Sequence, residues 1–298
     1  MPDLHESQWY AEARRFRREA DSASFRRRVG LRRWAEMQAA PITSFTRLAE
    51  FEVAARCLDL RPGLSLLDLA SPKIFGLVLA RRYSLDAWLT DIWEDEVSGW
   101  KAWAESAGWA GPKLRFEACD ARRTGFPDKT FDRVVSISVV EHIDGDGDQK
   151  AMAEIARVLK PGGIAVVSVP FSRRFKAQTT RSRLYGAENP GKKEHLFQRV
   201  YDQQALEQRL LRPSGLFLEE ATALGIRTSF WSRLFAQTLS DTTQSLTRRN
   251  KIEYFLTLPF FPAFPLLSRS LRYRADHRHL PVSLYFHDIV LKLVKKRP

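Results

Sequence analysis

Two short runs, RVVSISVV at 133–140 and IAVVSV at 164–169, constrain this chain more than anything else in it. Neither shows the alternating polar positions of a strand with one wet face, so each reads as a strand covered on both faces. Such a sheet needs helices on both sides. The chain supplies them. Strand patterns at Leu64–Leu69, Asp86–Thr90, Lys113–Ala118, Phe131–Ser138 and Gly163–Val169 alternate with the helical patterns FGLVLARRY, VSGWKAWAESAG and DQKAMAEIARVLK. The alternation predicts an α/β fold, a doubly wound and mostly parallel sheet. Ligands on such sheets bind beyond the carboxyl ends of the strands. That rule singles out Asp68, Asp91, Asp120 and the stretch from Ser138 to His142.

The flanks divide the 298 residues into four parts. Residues 1–62 form an N-terminal helical cap, with one helix over 5–40 and a second in SFTRLAEFEVAARCLDL, stopped by RPG at 61–63. Residues 63–225 form the α/β core. After Pro170 the core continues through a polar loop, SRRFKAQTTRSRLYGAENPGKKE, then a helix in YDQQALEQRLLRPSG and a strand in LFLEEATAL. Residues 226–281 form an insert, and 282–298 supply a final strand and a basic tail.

Charge is uneven along the chain. Residues 226–298 hold 13 Lys and Arg against 4 Asp and Glu, much of the net charge of +13. An anionic surface is the natural partner for such a region, and a solvated basic face is the plainer alternative. The two cysteines, Cys57 and Cys119, have no metal-ligand spacing and cannot make a disulfide framework, which points to a reducing, cytoplasmic compartment. The first residues show no apolar signal-peptide stretch, and no apolar run is long enough to span a bilayer.

The turn after the first strand, in SLLDLASPK, departs from the usual nucleotide-binding form. Glycines are expected there, because only glycine lets a backbone approach a ligand closely. The chain has Ala70, Ser71, Pro72 and Lys73 instead. Proline removes one N–H but suits the first turn of a helix. The turn therefore reads as a built helix start, with Ser71 as N-cap, Pro72 as first helical residue and Lys73 as an added cation. Asp91 ends the second strand, where a carboxylate can accept bonds from ribose hydroxyls. Its alternative role is to cap the following helix.

The segment FEACDARRTGFPDKTFDRVVSISVVEHIDGDGDQKAMAEIARVLKPGGIAVVSVP resembles the pattern of class I S-adenosylmethionine-dependent methyltransferases. The likeness extends over about 45–225 and the last strand. It implies a seven-stranded sheet with an antiparallel last strand and S-adenosyl-L-methionine as cofactor. It also implies that Asp120 and Ala121 hold the adenine and that Ser138 and Val139 lie under the sulfonium. The family writes the first turn as acid-x-Gly-x-Gly-x-Gly. Asp68 matches it, Ala70 and Pro72 replace glycines, and Ser71 and Lys73 lie where the cofactor's methionine carboxylate is expected. Lys73 is expected to pair with that carboxylate. Ser138, Glu141 and His142 resemble the site of ubiquinone-pathway O-methyltransferases. There an acid at the first position helps hold a metal; here it is serine, and no metal is expected. His142 and His195 are the candidate general bases.

The implied function is methyl transfer to a small-molecule, lipid-linked or sugar-linked acceptor. The alternative is a non-catalytic binding or scaffold protein on the same fold, and the 70–73 turn discriminates between them. The insert carries YFLTLPFFPAFPLLSRSLRYR at 254–274, apolar residues followed at once by arginines. It reads either as a lid over the acceptor site or as an element lying on anionic lipid at the inner membrane face. No RNA-binding motif is present, so nucleic acid is not an expected partner.

Overall fold

The computed structural model describes residues 45–180, 194–227, 272–273 and 284–297. The expected helix over 5–40 lies outside these residues, as does the insert apart from 226–227, at the end of a strand, and 272–273. The lid and membrane readings therefore fall on residues that are not described. Among the described residues no helix is long and apolar enough to cross a membrane.

The order of elements follows the hydrophobic pattern. Helix α1 (Phe45–Cys57) leads to β1 (Ser65–Leu69), α2 (Lys73–Tyr83), β2 (Asp86–Asp91), α3 (Glu94–Ser106) and β3 (Leu114–Ala118). Then come β4 (Phe131–Ile137), a 3-10 turn (Val140–His142), α4 (Gly147–Val158) and β5 (Leu159–Pro170). Strands β6 (Lys176–Thr180) and β7 (His195–Val200) follow, then a helical stretch that is α at Gln203–Ala205, π at Leu206–Leu211 and α again at Arg212–Ser214. Strands β8 (Phe217–Arg227), β9 (Arg272–Tyr273) and β10 (Leu284–Val294) close the fold.

The main sheet has the order β3-β2-β1-β4-β5-β10-β8-β9. Strands β1 to β5 pair in parallel. β10 enters between β5 and β8 and is antiparallel to both, as the expected last strand should be. The two-residue β9 adds an eighth strand to the expected seven. The order reverses between β1 and β4, which puts the topological switch point at their carboxyl ends.

Helices cover both faces of the sheet. On one side α1, α2 and α3 bring Phe51, Phe75, Leu77 and Trp103 against Leu66, Leu89, Val135 and Val166. On the other, α4 and the stretch around Leu206 and Leu210 bring Met152 and Ile155 against Leu67, Val134 and Val167. Val134, Val135, Val166 and Val167 are all fully buried, two on each face, which is why both runs lack polar alternation. Each large side chain fully buried in these layers contributes roughly 1.5–3 kcal/mol.

Two local expectations need correction. The polar segment after Pro170 is not all loop: β6 and β7 form a separate two-stranded antiparallel sheet. β6, KAQTT, has no buried residue, so it carries no apolar periodicity to read. The LKPGG motif lies inside β5 rather than ahead of it. Gly162 holds a φ of +79°, a conformation that suits glycine. This bend is tied to the tail: Gly162 N–H donates to the Lys295 carbonyl at 2.7 Å, and Lys295 N–H returns a bond to Gly163. The Lys295 ammonium donates to the carbonyls of Ala156 and Leu159, where α4 ends.

Candidate active site

The turn between β1 and α2 keeps the backbone shape that glycine would give it. Ala70 sits at a φ of +58°, in the left-handed region, and its N–H bonds to the Thr90 carbonyl at 3.1 Å. A residue with a Cβ loses about 1–2 kcal/mol in that conformation. The surrounding bonds hold it there nonetheless. Asp68, fully buried, accepts the Ser71 N–H at 3.0 Å through one carboxylate oxygen. Its other oxygen has no hydrogen-bond partner and lies against Gly76, where an added Cβ would meet it at 2.2 Å. Gly76 is therefore the glycine that brings helix and strand close, two positions beyond the motif in which glycines are usually sought. Burial pushes the Asp68 carboxyl up to about 6, against the opposing pull of the Lys73 charge.

The helix starts one residue later than its sequence suggests. Pro72 is the N-cap and Lys73 the first helical residue. Ser71 does not cap: its hydroxyl accepts the Ile137 N–H at 3.1 Å and ties the turn to β4. Lys73 has a partner that the sequence reading assigned elsewhere. Its ammonium, 3% exposed, lies 3.1 Å from Asp91 and donates to the Ser71 carbonyl at 2.8 Å. A buried ammonium needs a carboxylate, and the end of the neighbouring strand offers one. Asp91 also accepts the Trp93 N–H at 3.3 Å, so it steadies the start of α3. Beside it Ile92 and Trp93 are exposed, 50% and 42%. Their side chains were missed in the sequence, although an apolar pair directly after a strand-end acid was the available signal.

Asp120 and Ala121 follow β3. The Asp120 carboxylate takes the forked guanidinium of Arg122, at 2.6 to 3.0 Å, and the Arg122 N–H at 2.8 Å. These hydrogen bonds hold its pKa below the usual range. Ala121 is buried beside it.

The end of β4 is built differently. Ser138 has a φ of +52°. Its N–H bonds to the carbonyl and hydroxyl of Ser168 on β5, each at 3.1 Å. Its own hydroxyl accepts from Arg47 at 2.8 Å and donates to Glu50 at 3.1 Å. Arg47 and Glu50 form an ion pair on α1, so that helix lies over the strand end where Ser138 and Val139 were expected to face a sulfonium. The Ser168 hydroxyl also donates to Glu50.

Glu141 is 1% exposed, and neither of its carboxylate oxygens has a hydrogen-bond partner. Burial first, then the nearby Asp288 and Glu50, push its pKa well up. Asp288, on β10, is pushed up to about 7 by burial and Glu50, with Arg47 opposing. His142 bonds through Nδ1 to the Phe197 carbonyl on β7, so that nitrogen carries the proton. Its Nε2 lies 3.5 Å from Glu141, and burial lowers its pKa, which keeps the ring neutral. His195 begins β7, opposite Thr180 and two positions before Phe197. Sequence reasoning missed Arg47, Glu50 and Asp288, because all three come from elements far along the chain.

Across the whole site, the glycine-like turn at Ala70, the acid at Asp91 and the exposed Ile92 and Trp93 fit an adenosine-bearing cofactor. Among the described residues no cluster of His, Cys, Asp and Glu could hold a metal ion.

Comparison with known proteins agrees with this geometry. Residues 67–167 match the family model described as a methyltransferase domain. The chain is 35% identical over 124 residues to the ubiquinone/menaquinone biosynthesis C-methyltransferase UbiE of Bordetella avium strain 197N, covering 40% of this chain and 45% of that protein. The chain thus spans less than half the length of the curated relatives it matches. Among solved structures, the cyclase SpnF superposes with a TM-score of 0.55 at 18% identity, covering 86% of this chain and 84% of that one. BH2331 of Bacillus halodurans C-125 superposes with a TM-score of 0.51 at 16% identity, covering 84% of this chain and 100% of that one. Such identities speak to the fold alone. Residues 67–167 thus match a methyltransferase domain, and with the sheet order around them the core of this chain is similar to class I S-adenosylmethionine-dependent methyltransferases.

Proposed function

We propose that this chain binds S-adenosyl-L-methionine and transfers its methyl group to a small-molecule, lipid-linked or sugar-linked acceptor. One observation carries the reading: Ala70 keeps the left-handed backbone that glycine gives this turn, although a side chain makes it unfavourable. A decayed turn would have relaxed. On this reading Asp91 accepts from the ribose while sharing Lys73, Ile92 and Trp93 flank the base, and Asp120 and Ala121 approach its amino edge. The bound cofactor supplies an electrophilic methyl on a sulfonium, and the chain's task is alignment. Ser138, Val139 and α1 shape the place where the acceptor meets it, and neutral His142 offers Nε2 as a proton acceptor. Contact with anionic lipid through 226–298 belongs to the same proposal, supported by the basic excess there.

A second reading has its own support. The Lys73–Asp91 pair already satisfies the acid a ribose would use, as in a scaffold protein that has given up its ligand. Titration calorimetry with S-adenosylhomocysteine separates the two. A saturable heat with one site per chain is expected; a folded protein that gives none leaves the scaffold reading standing.

A further inference from the structure

Three carboxyl groups, Glu50, Glu141 and Asp288, converge from α1, the 3-10 turn and β10 on the carboxyl ends of β4 and β5. Asp288 stands opposite Pro170, the last residue of β5, and Glu50 bonds the hydroxyls of Ser138 and Ser168 at the ends of both strands. Arg47 is the guanidinium they share, and it is bonded to Glu50 and Ser138. Among the described residues, the other charged groups nearby do not make up the difference. Arg199, buried on β7, directs its guanidinium to the carbonyls of Ile143 and Gly145 and lies 3.7 Å from Asp148. The His142 ring is held neutral. Tyr201, which also faces Glu141, donates its hydroxyl to Asp148. Glu141 is thus a carboxyl group 1% exposed, turned among other carboxyls, with both oxygens lacking a hydrogen bond. A buried acid without donors is costly, more so when charged, and proteins seldom keep one without a use.

We propose that Glu141 and Asp288 form a subsite for a basic nitrogen, so that the methyl acceptor of this site is an amine. This rests on the methyl-transfer reading above. A cation entering the cluster supplies the donors that Glu141 lacks and offsets an excess of carboxylates over guanidinium. The same groups serve the chemistry. The amine must lose one proton before its lone pair can attack, and a carboxyl that titrates near neutrality is suited to take it. The nitrogen then forms a bond to the methyl carbon as the carbon–sulfur bond breaks, and the sulfur keeps that electron pair as a neutral thioether. Ser138, Val139 and Asp288 are only half-buried, so the cluster is reachable from that side.

The test uses the full chain and two probes of nearly equal shape, 2-phenylethylamine and 2-phenylethanol, in thermal unfolding at pH 8. The amine is expected to raise the Tm by about 2–4 °C at ten times its dissociation constant, and the alcohol to raise it far less. In the double variant Glu141→Gln, Asp288→Asn the amine response should vanish, while S-adenosylhomocysteine binding by calorimetry stays near wild type. Equal shifts from both probes, or an amine response that survives in the variant, overturn the proposal. If the double variant does not fold, the wild-type comparison of amine with alcohol decides. Loss of S-adenosylhomocysteine binding in the wild type would defeat the cofactor reading instead, and the two failures are thereby distinguished.

Discussion

The turns beyond β1 and beyond β4 lie at the same end of the sheet and treat charge in opposite ways. Beyond β1 the cation and the strand-end acid answer each other: Lys73 meets Asp91 at 3.1 Å, while Asp68 takes a backbone N–H through one oxygen and leaves the other without a partner. Beyond β4, among the described residues, the carboxyls outnumber the guanidinium, and neither carboxylate oxygen of Glu141 has a hydrogen-bond partner. The ion pair of the first turn is closed without a ligand, and the carboxyl cluster of the second is not. This divides the work: the first region is a preformed cradle that a cofactor shares, and the second is a pocket whose electrostatics are completed by what enters it.

Breaking the complete side should produce the larger effect. Asp91→Ala leaves the Lys73 ammonium buried without its carboxylate, and about 3 kcal/mol of stability should be lost. Adding Lys73→Met should restore much of it, because a paired charge is then replaced by apolar packing. Urea unfolding of the single and double variants checks this, and equal losses in the two would show that the pair is not a unit.

The incomplete side should be visible in pH. Asp288 has a folded pKa of about 7 and Asp68 of about 6, both above their unfolded values. The folded state therefore holds protons that the unfolded state has already released. Their contribution to stability is greatest near pH 4 and is lost as pH rises toward 7. His142, whose pKa is lowered, acts in the opposite sense below its unfolded value. The informative quantity is thus a difference between proteins. Asp288→Asn should make the urea midpoint fall less between pH 5 and pH 7.5 than it does in the wild type. Parallel pH curves for the two proteins would remove Asp288 from the cluster.

The smallest effect returns to the cradle. Ala70→Gly relieves a left-handed alanine but gives the unfolded chain more freedom, and a net gain of about 0.5 kcal/mol is expected. A loss instead would mean that the alanine methyl contributes packing that outweighs its conformation.

Much of this architecture is legible in the sequence, and the gaps have physical reasons. The runs around Val134 and Val166 announce the sheet because burial on both faces excludes polar residues. The places of Asp68, Asp91 and Asp120, at or just past the ends of β1, β2 and β3, are legible because the strand pattern marks where each parallel strand stops. The Lys73–Asp91 pair was not legible, since both residues were read toward a ligand rather than toward each other. Gly76 hid inside a helical pattern, where nothing local marks a close approach to Asp68. Glu50 and Asp288 meet Glu141 from 91 and 147 positions away, a proximity that no spacing rule encodes. β6 escaped detection because it has no buried face.

The position of β10 governs the order in which the molecule can assemble. Ile289 pairs with Val169 on one side and Ala223 on the other, so the strand must slot between two neighbours that precede it in the chain. The parallel layer from β1 to β5 can form without it, but closing the pairing with β5 means drawing together chain segments about 120 residues apart, and such contacts form slowly. Until that happens the edge of β5 offers unpaired amides and carbonyls to any passing strand, and Asp288 is not yet beside Glu141. A half-folded molecule would thus possess the cofactor cradle before it possesses the acidic pocket.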